Sequence, residues 1–230
     1  MRVPILSFLY LLLSFQLVFA QDANALKSEI YSKLKCCDCQ VTFDKCVCPE
    51  AKEMKGYIDA LIEARTTKEE IFYKVAKKYS LNVILDEQIK DSIEQRLIKE
   101  AGQKRPQIVL EPASFDFGEV TKKQGKISKI FKLSNQGNAP LVIKNIRTSC
   151  PCTFVSLKVN KKKSPPSSTE GSPANWQAEV KPGENAELEV VLDLASPHVS
   201  PGKVIRDTSI TSNDPIYPQT TVRIEAEVKD

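Results

Sequence analysis

Five of the chain's seven cysteines fall between positions 36 and 48, as Cys36-Cys37-Asp38-Cys39 and then Cys46-Val47-Cys48-Pro49. Cys36 and Cys39 form a C-x-x-C, the spacing at which two sulfurs on one turn make and break a disulfide reversibly. Lys33 and Lys35 stand just before them, and positive charge near a helix end favours the reactive thiolate. Cys36, Cys37, Cys39, Cys46 and Cys48 also satisfy a different chemistry, because four thiolates complete a tetrahedral zinc site and thiolates suit Cu(I). A plain structural disulfide is the third reading, although such cross-links tend to join distant parts of a fold. The spacing leaves these three readings open, with Cys36 and Cys39 as the redox pair in the first.

The other two cysteines form a C-x-C, Cys150-Pro151-Cys152. They are too close for a relaxed disulfide between ordinary strand positions. A bond there would be readily reduced, which makes the pair a secondary thiol site, with a soft-metal site or an inert pair as the alternatives. His198 is the only histidine, so C-x-x-C-H haem attachment and Cys/His zinc patterns are absent. It lies between Pro197 and Pro201 and reads as a surface loop residue.

The elements that must position these residues change character halfway along the chain. Arg2 precedes an apolar run that ends Val18-Phe19-Ala20 before Gln21, the pattern of a secretory signal peptide over residues 1–20. The same run, left uncleaved, is almost long enough to serve as a membrane anchor. Either way the remainder is exported, or periplasmic, where disulfides persist. Without residues 1–20 the chain keeps 32 basic and 29 acidic side chains, a balance that argues against a nucleic-acid partner.

Twelve of the fourteen prolines lie at or after Pro106, so the first half is free to be helical. Leu26, Ile30 and Leu34 recur every fourth residue and predict a helix leading to Cys36. Pro49 suits the first turn of a second helix, which carries Met54, Tyr57, Ile58, Leu61 and Ile62 inward. Thr67 with Glu70 opens a third, and Asp86 caps a fourth bearing Ile89, Ile93 and Leu97. From Lys104 the period falls to two. Phe115–Val120, Ile127–Leu133, Leu141–Ile146, Phe154–Val159, Trp176–Val180, Ala186–Leu194, Val204–Thr211 and Thr220–Val228 read as strands, with Lys161–Pro173 as a flexible loop insertion. Seven or eight short strands at this spacing predict a β-sandwich.

Leu34-Lys35-Cys36-x-x-Cys39-Gln40, followed by Pro49-x-Ala51-x-x-Met54 and two amphipathic helices, resembles the soluble domain of the CcmH/NrfF family of cytochrome c maturation proteins. The similarity covers roughly residues 25–86. It implies a small three-helix bundle that handles the thiols of apocytochrome c or another exported thiol protein, alone or with membrane-bound haem lyase subunits. It carries redox roles onto Cys36 and Cys39, with haem reached only through partner proteins. Lys35 stands where the family has arginine, and Cys37, Cys46 and Cys48 are additional. The second half resembles an Ig-like exported domain family of unknown function, through Phe117-Gly118, Ser149-Cys150-x-Cys152-Thr153 and Ser212-Asn213-Asp214-Pro215. Pro151 replaces the glycine expected between those cysteines.

These readings give an α+β chain of two domains, a small helical bundle and then an Ig-like β-sandwich. The expected divisions are residues 1–20, a helical thiol domain to 86, a helical linker over 87–106, and a sandwich over 107–230. The expected function is thiol–disulfide oxidoreductase chemistry in cytochrome c biogenesis. A zinc or copper module, or a non-catalytic adaptor, is the alternative.

Overall fold

The structure is a computed structural model that describes residues 23–36 and 42–229. The expected leader, and Cys37 and Cys39, therefore lie outside the described residues. A small helical part comes first and a sandwich of two sheets follows.

Helix α1 covers residues 23–32, and α2 spans Pro49–Glu63, α3 Lys68–Tyr79 and α4 Glu87–Ala101. Their starts follow local chemistry. Pro49 sits where its missing N–H costs nothing, Thr67 accepts the Glu70 amide, and Asp86 accepts the Ile89 amide. Ile30, Met54, Ile58, Phe72, Val75 and Leu81 are almost fully buried between the helices. The helix α4, which sequence reading assigned to a linker, lays Ile93 and Leu97 into that same core. Among the described residues no helix is long and apolar enough to cross a membrane.

Ten strands build the sandwich: β1 Ile108–Glu111, β2 Ser114–Thr121, β3 Lys126–Asn135, β4 Leu141–Thr148, β5 Thr153–Val159, β6 Lys162–Lys163, β7 Ala178–Val180, β8 Asn185–Asp193, β9 Gly202–Ser212 and β10 Gln219–Lys229. One sheet runs β1-β3-β8-β5-β6 and the other β2-β10-β9-β4-β7. All neighbours are antiparallel except β2 and β10, which pair parallel and join the sandwich's first long strand to its last. Alternation drives the core: Phe131, Leu133, Leu188, Val190, Ile210 and Ile224 point between the sheets. The 161–173 segment is more ordered than a flexible insertion, because Lys162 and Lys163 pair with β5 and Ser167 bonds to Val155 in both directions.

Two polar side chains organise the junction. Asn135 is fully buried and uses its whole amide, accepting from Gln107 and Gly137 and donating to the Ala139 and Val180 carbonyls. Gly137 lets the linker lie close, since a Cβ there would stand 2.3 Å from the Arg105 carbonyl oxygen. Asp214, in the turn between β9 and β10, accepts the Ile108, Ile216 and Tyr217 amides. That satisfied carboxylate shapes a loop whose Ile216 is buried in the helical core. The Ile216 carbonyl accepts the Leu81 amide, Tyr217 bonds to Glu94, and Arg147 of β4 pairs with Glu50 of α2 at 2.8 Å.

Candidate metal centre

Two separate pieces of backbone bring three thiols together. Residues 33–35 run extended beside 83–85, with the Lys35 amide on the Val83 carbonyl and the Leu85 amide on the Lys33 carbonyl. Leu34 also accepts the Phe43 amide, so this short segment is held on both sides and delivers Cys36 into the core. Phe43 is fully buried and meets the Tyr31 ring edge-on at 4.8 Å. The turn after it closes when the Thr42 carbonyl accepts the Lys45 and Cys46 amides, and Lys55 of α2 donates to the Cys46 carbonyl. Cys48 is the N-cap of α2, and its sulfur accepts the Ala51 amide at 3.3 Å.

The sulfurs of Cys36, Cys46 and Cys48 all lie within 4.8 Å of one another. Cys36 to Cys48 is 3.5 Å and Cys46 to Cys48 is 3.4 Å. Those contacts are too long for bonded sulfurs. They fall close to the edge of a zinc–thiolate tetrahedron, about 3.8 Å for Zn–S bonds near 2.3 Å. Cys36 and Cys46 are buried and Cys48 is half-buried. Burial, together with the neighbouring thiols, pushes the Cys48 thiol up to about 12, although the Ala51 amide works in the other direction. A bound cation reverses that preference, since thiolates form readily against a metal.

The lysines expected to activate Cys36 are placed elsewhere. Lys33 is engaged by Asp86 at 2.9 Å. Lys35 lines a cleft of about 490 Å³ with Ser80, Asn82, Asp207 and Arg223, between the helical part and the sandwich. Burial, Lys90 and Arg223 hold its ammonium below the usual lysine range. Glu50, two residues past Cys48, was not singled out by sequence. Burial opposes its charge, but the helix-start backbone, Arg147 and Cys48 together hold its carboxyl below the usual range. Its signal was faint: an acidic residue in a helix's first turn is ordinary.

Cys150 and Cys152 form a disulfide in the turn between β4 and β5, not between strand positions. Met54 is fully buried, His198 is exposed, and Trp176 packs partly buried against the sandwich core.

Among solved structures, a Porphyromonas gingivalis W83 protein of unknown function aligns with 54% of this chain and 48% of its own, at 18% identity and a TM-score of 0.39. A PapD-like domain of human CEP192 aligns with 55% of this chain and 87% of its own, at 7% identity and 0.36. The E. coli chaperone DraB covers 54% and 56%, at 5% identity and 0.34. The chain therefore spans about half the length of the Porphyromonas and DraB structures. No curated protein matches the chain. None of the comparisons connects the N-terminal part with cytochrome c maturation. The family model described as a protein of unknown function, DUF1573, matches residues 108–228, more than half of the 230, and the chain belongs to that family.

Proposed function

We propose that the helical part is a thiolate metal module, holding Zn(II) or Cu(I) through Cys36, Cys46 and Cys48. The carrying observation is the convergence of three largely buried sulfurs, from two backbone segments, to within 4.8 Å. The donor set is soft and contains no imidazole, which fits these two ions. The Ala51 amide on the Cys48 sulfur is the outer hydrogen bond that orients a thiolate ligand. Cys37 and Cys39 are the sequence's sources for a fourth thiolate. The metal's role is to complete a small core and fix the face that meets the sandwich.

The test is metal content per chain on protein purified under reducing conditions, with Co(II) substitution to read thiolate-to-metal absorption. One metal per chain, lost on Cys36→Ser, Cys46→Ser or Cys48→Ser, supports the module. Comparing Cys37→Ser with Cys39→Ser then identifies the fourth ligand.

A second reading rests on the sulfur contacts of 3.4 and 3.5 Å, which place neighbouring thiols one step from bond formation. In it the cluster exchanges disulfides with an exported thiol protein such as apocytochrome c in the setting of a haem lyase complex, Cys36 pairing with Cys39 as the sequence motif implies or with Cys48, the thiol it contacts. Complete burial of Cys36 requires its partner thiol to meet the substrate first in that scheme. Metal-free protein whose cluster cycles reversibly against dithiothreitol would replace the metal reading with this one.

A further inference from the structure

Strand β9 alternates faces, and Val204, Arg206, Thr208 and Ile210 occupy its inward register. An arginine in that series is unexpected, and it is half-buried: both Nη atoms reach solvent while the Nε is turned inward. The guanidinium divides its donors in three directions. One Nη donates to the Ile205 carbonyl at 2.8 Å and the other to the His198 carbonyl at 3.0 Å. The Nε donates to the Cys152 sulfur at 3.0 Å.

Among the described residues no carboxylate pairs with Arg206. The nearest acids in sequence and sheet are committed elsewhere. Asp207 takes a two-point contact from Arg223, at 2.8 and 2.9 Å, and Asp193, whose amide donates to the Cys152 carbonyl, faces Lys126 at 3.9 Å. Burial alone moves the Arg206 pKa, and moves it down, as expected for a cation without a counter-charge. The sulfur its Nε already touches is therefore where a negative charge would be stabilised.

The two sulfurs of the disulfide are not equivalent. Cys152 is fully buried, while Cys150 keeps 7% of its surface exposed. Cys150 accepts only a neutral donor, the Cys152 amide at 3.2 Å. Cys152 accepts the charged one, which binds a thiolate about twice as strongly as a neutral donor does. The more accessible sulfur is thus the one to be attacked, and the better leaving thiolate is the one beside Arg206.

We propose that Cys150–Cys152 is an exchangeable disulfide, opened by an external dithiol that attacks the Cys150 sulfur while Cys152 departs as a thiolate onto Arg206. In the first step the incoming thiolate forms a mixed disulfide with Cys150, and the Cys150–Cys152 bond breaks with its electron pair on Cys152. In the second, the dithiol's other thiolate attacks its own sulfur in that mixed disulfide and releases Cys150, which takes up a proton. The dithiol ends as a disulfide, and two electrons have passed to the cysteine pair. The pair is a redox site of the sandwich, separate from the N-terminal cluster.

The full chain, equilibrated in dithiothreitol buffers and alkylated, reports this pair by peptide mass spectrometry independently of the five N-terminal cysteines. The expected result is reversible reduction, with Arg206→Met shifting the equilibrium against reduction by about tenfold and Arg206→Lys retaining most of the effect. The pH profile of Cys152 alkylation in the reduced chain should lie below that of an ordinary thiol and move up in Arg206→Met. A merely structural arginine would not move that profile. If Arg206→Met fails to fold, the wild-type profile and Arg206→Lys decide. A pair that resists excess dithiothreitol, a Cys152 profile at the ordinary thiol position, or less than a twofold change in a folded Arg206→Met overturns the proposal.

Discussion

The sandwich and the helical part solve the same problem with different materials. The sandwich buries a continuous apolar layer between two sheets, and its strands satisfy one another's backbone groups over long antiparallel registers. The helical part buries a smaller core, and sulfur occupies part of it: Cys36 and Cys46 sit among Ile30, Phe43 and Met54. It also borrows Ile216 from the sandwich. A core closed by apolar contacts depends on temperature and denaturant. A core closed by thiols depends also on what the thiols are bound to. The two halves should therefore fail under different insults.

Metal removal should give the largest difference. A four-thiolate zinc site contributes on the order of 10 kcal/mol to folding in small zinc-dependent peptides, so a chelator should abolish the helical melting transition. The sandwich transition should persist. Calorimetry and far-UV circular dichroism read this, and a helical signal unchanged after complete metal loss would erase the contrast. Phe131→Ala reverses the experiment. Phe131 is fully buried between the sheets, so about 3–5 kcal/mol should leave the sandwich transition while metal content stays at the wild-type value.

Ile216→Ala tests the contact that blurs the comparison. It removes a buried side chain that belongs by sequence to the sandwich and by packing to the helices. A loss of about 2–5 kcal/mol is expected in the helical transition, with a smaller change in the sandwich. Equal loss in both would mean that the two cores melt as one unit. Asp86→Ala should cost only about 1 kcal/mol, confined to the helical transition, because it deletes the cap of α4 and the partner of Lys33.

Acid should give the smallest effect. The Glu50 carboxyl titrates below its ordinary 4.5 in the folded chain, so its contribution is present above about that pH and is lost as pH falls through the folded value. Half-exposed pairs of this kind contribute about 0–1 kcal/mol. Denaturation midpoints of wild type and Glu50→Gln should differ at pH 7 and converge as pH falls below the folded value, which lies under 4.5. A constant difference across that range would assign Glu50 a role unrelated to its charge.

Much of this division was legible in the chain. Pro49, Thr67 and Asp86 marked helix starts because capping is a local affair of one side chain and one amide. The alternating runs marked β2 to β5 and β7 to β10, because a sheet with one face buried imposes period two. β1 was missed, being four residues with only Ile108 fully inward. The cysteine cluster was visible as composition, yet nothing in the spacing said that Cys36, Cys46 and Cys48 would meet. That convergence depends on the Val83 carbonyl, which holds Lys35 from 48 residues away, and on the Thr42 turn, six residues past Cys36. Arg206 was invisible as a site for the same reason: its partner sulfur is 54 residues away.

The position of Ile216 also sets an order of assembly. Domains emerge and fold from the N-terminus during synthesis. Here the first core gains Ile216 only when the turn between the last two strands arrives, more than 130 residues after Leu81, whose amide the Ile216 carbonyl accepts. Until then the nascent helices lack one of their buried side chains. The helical core is thus completed last, by a hairpin of the other domain, although its own helices are made first.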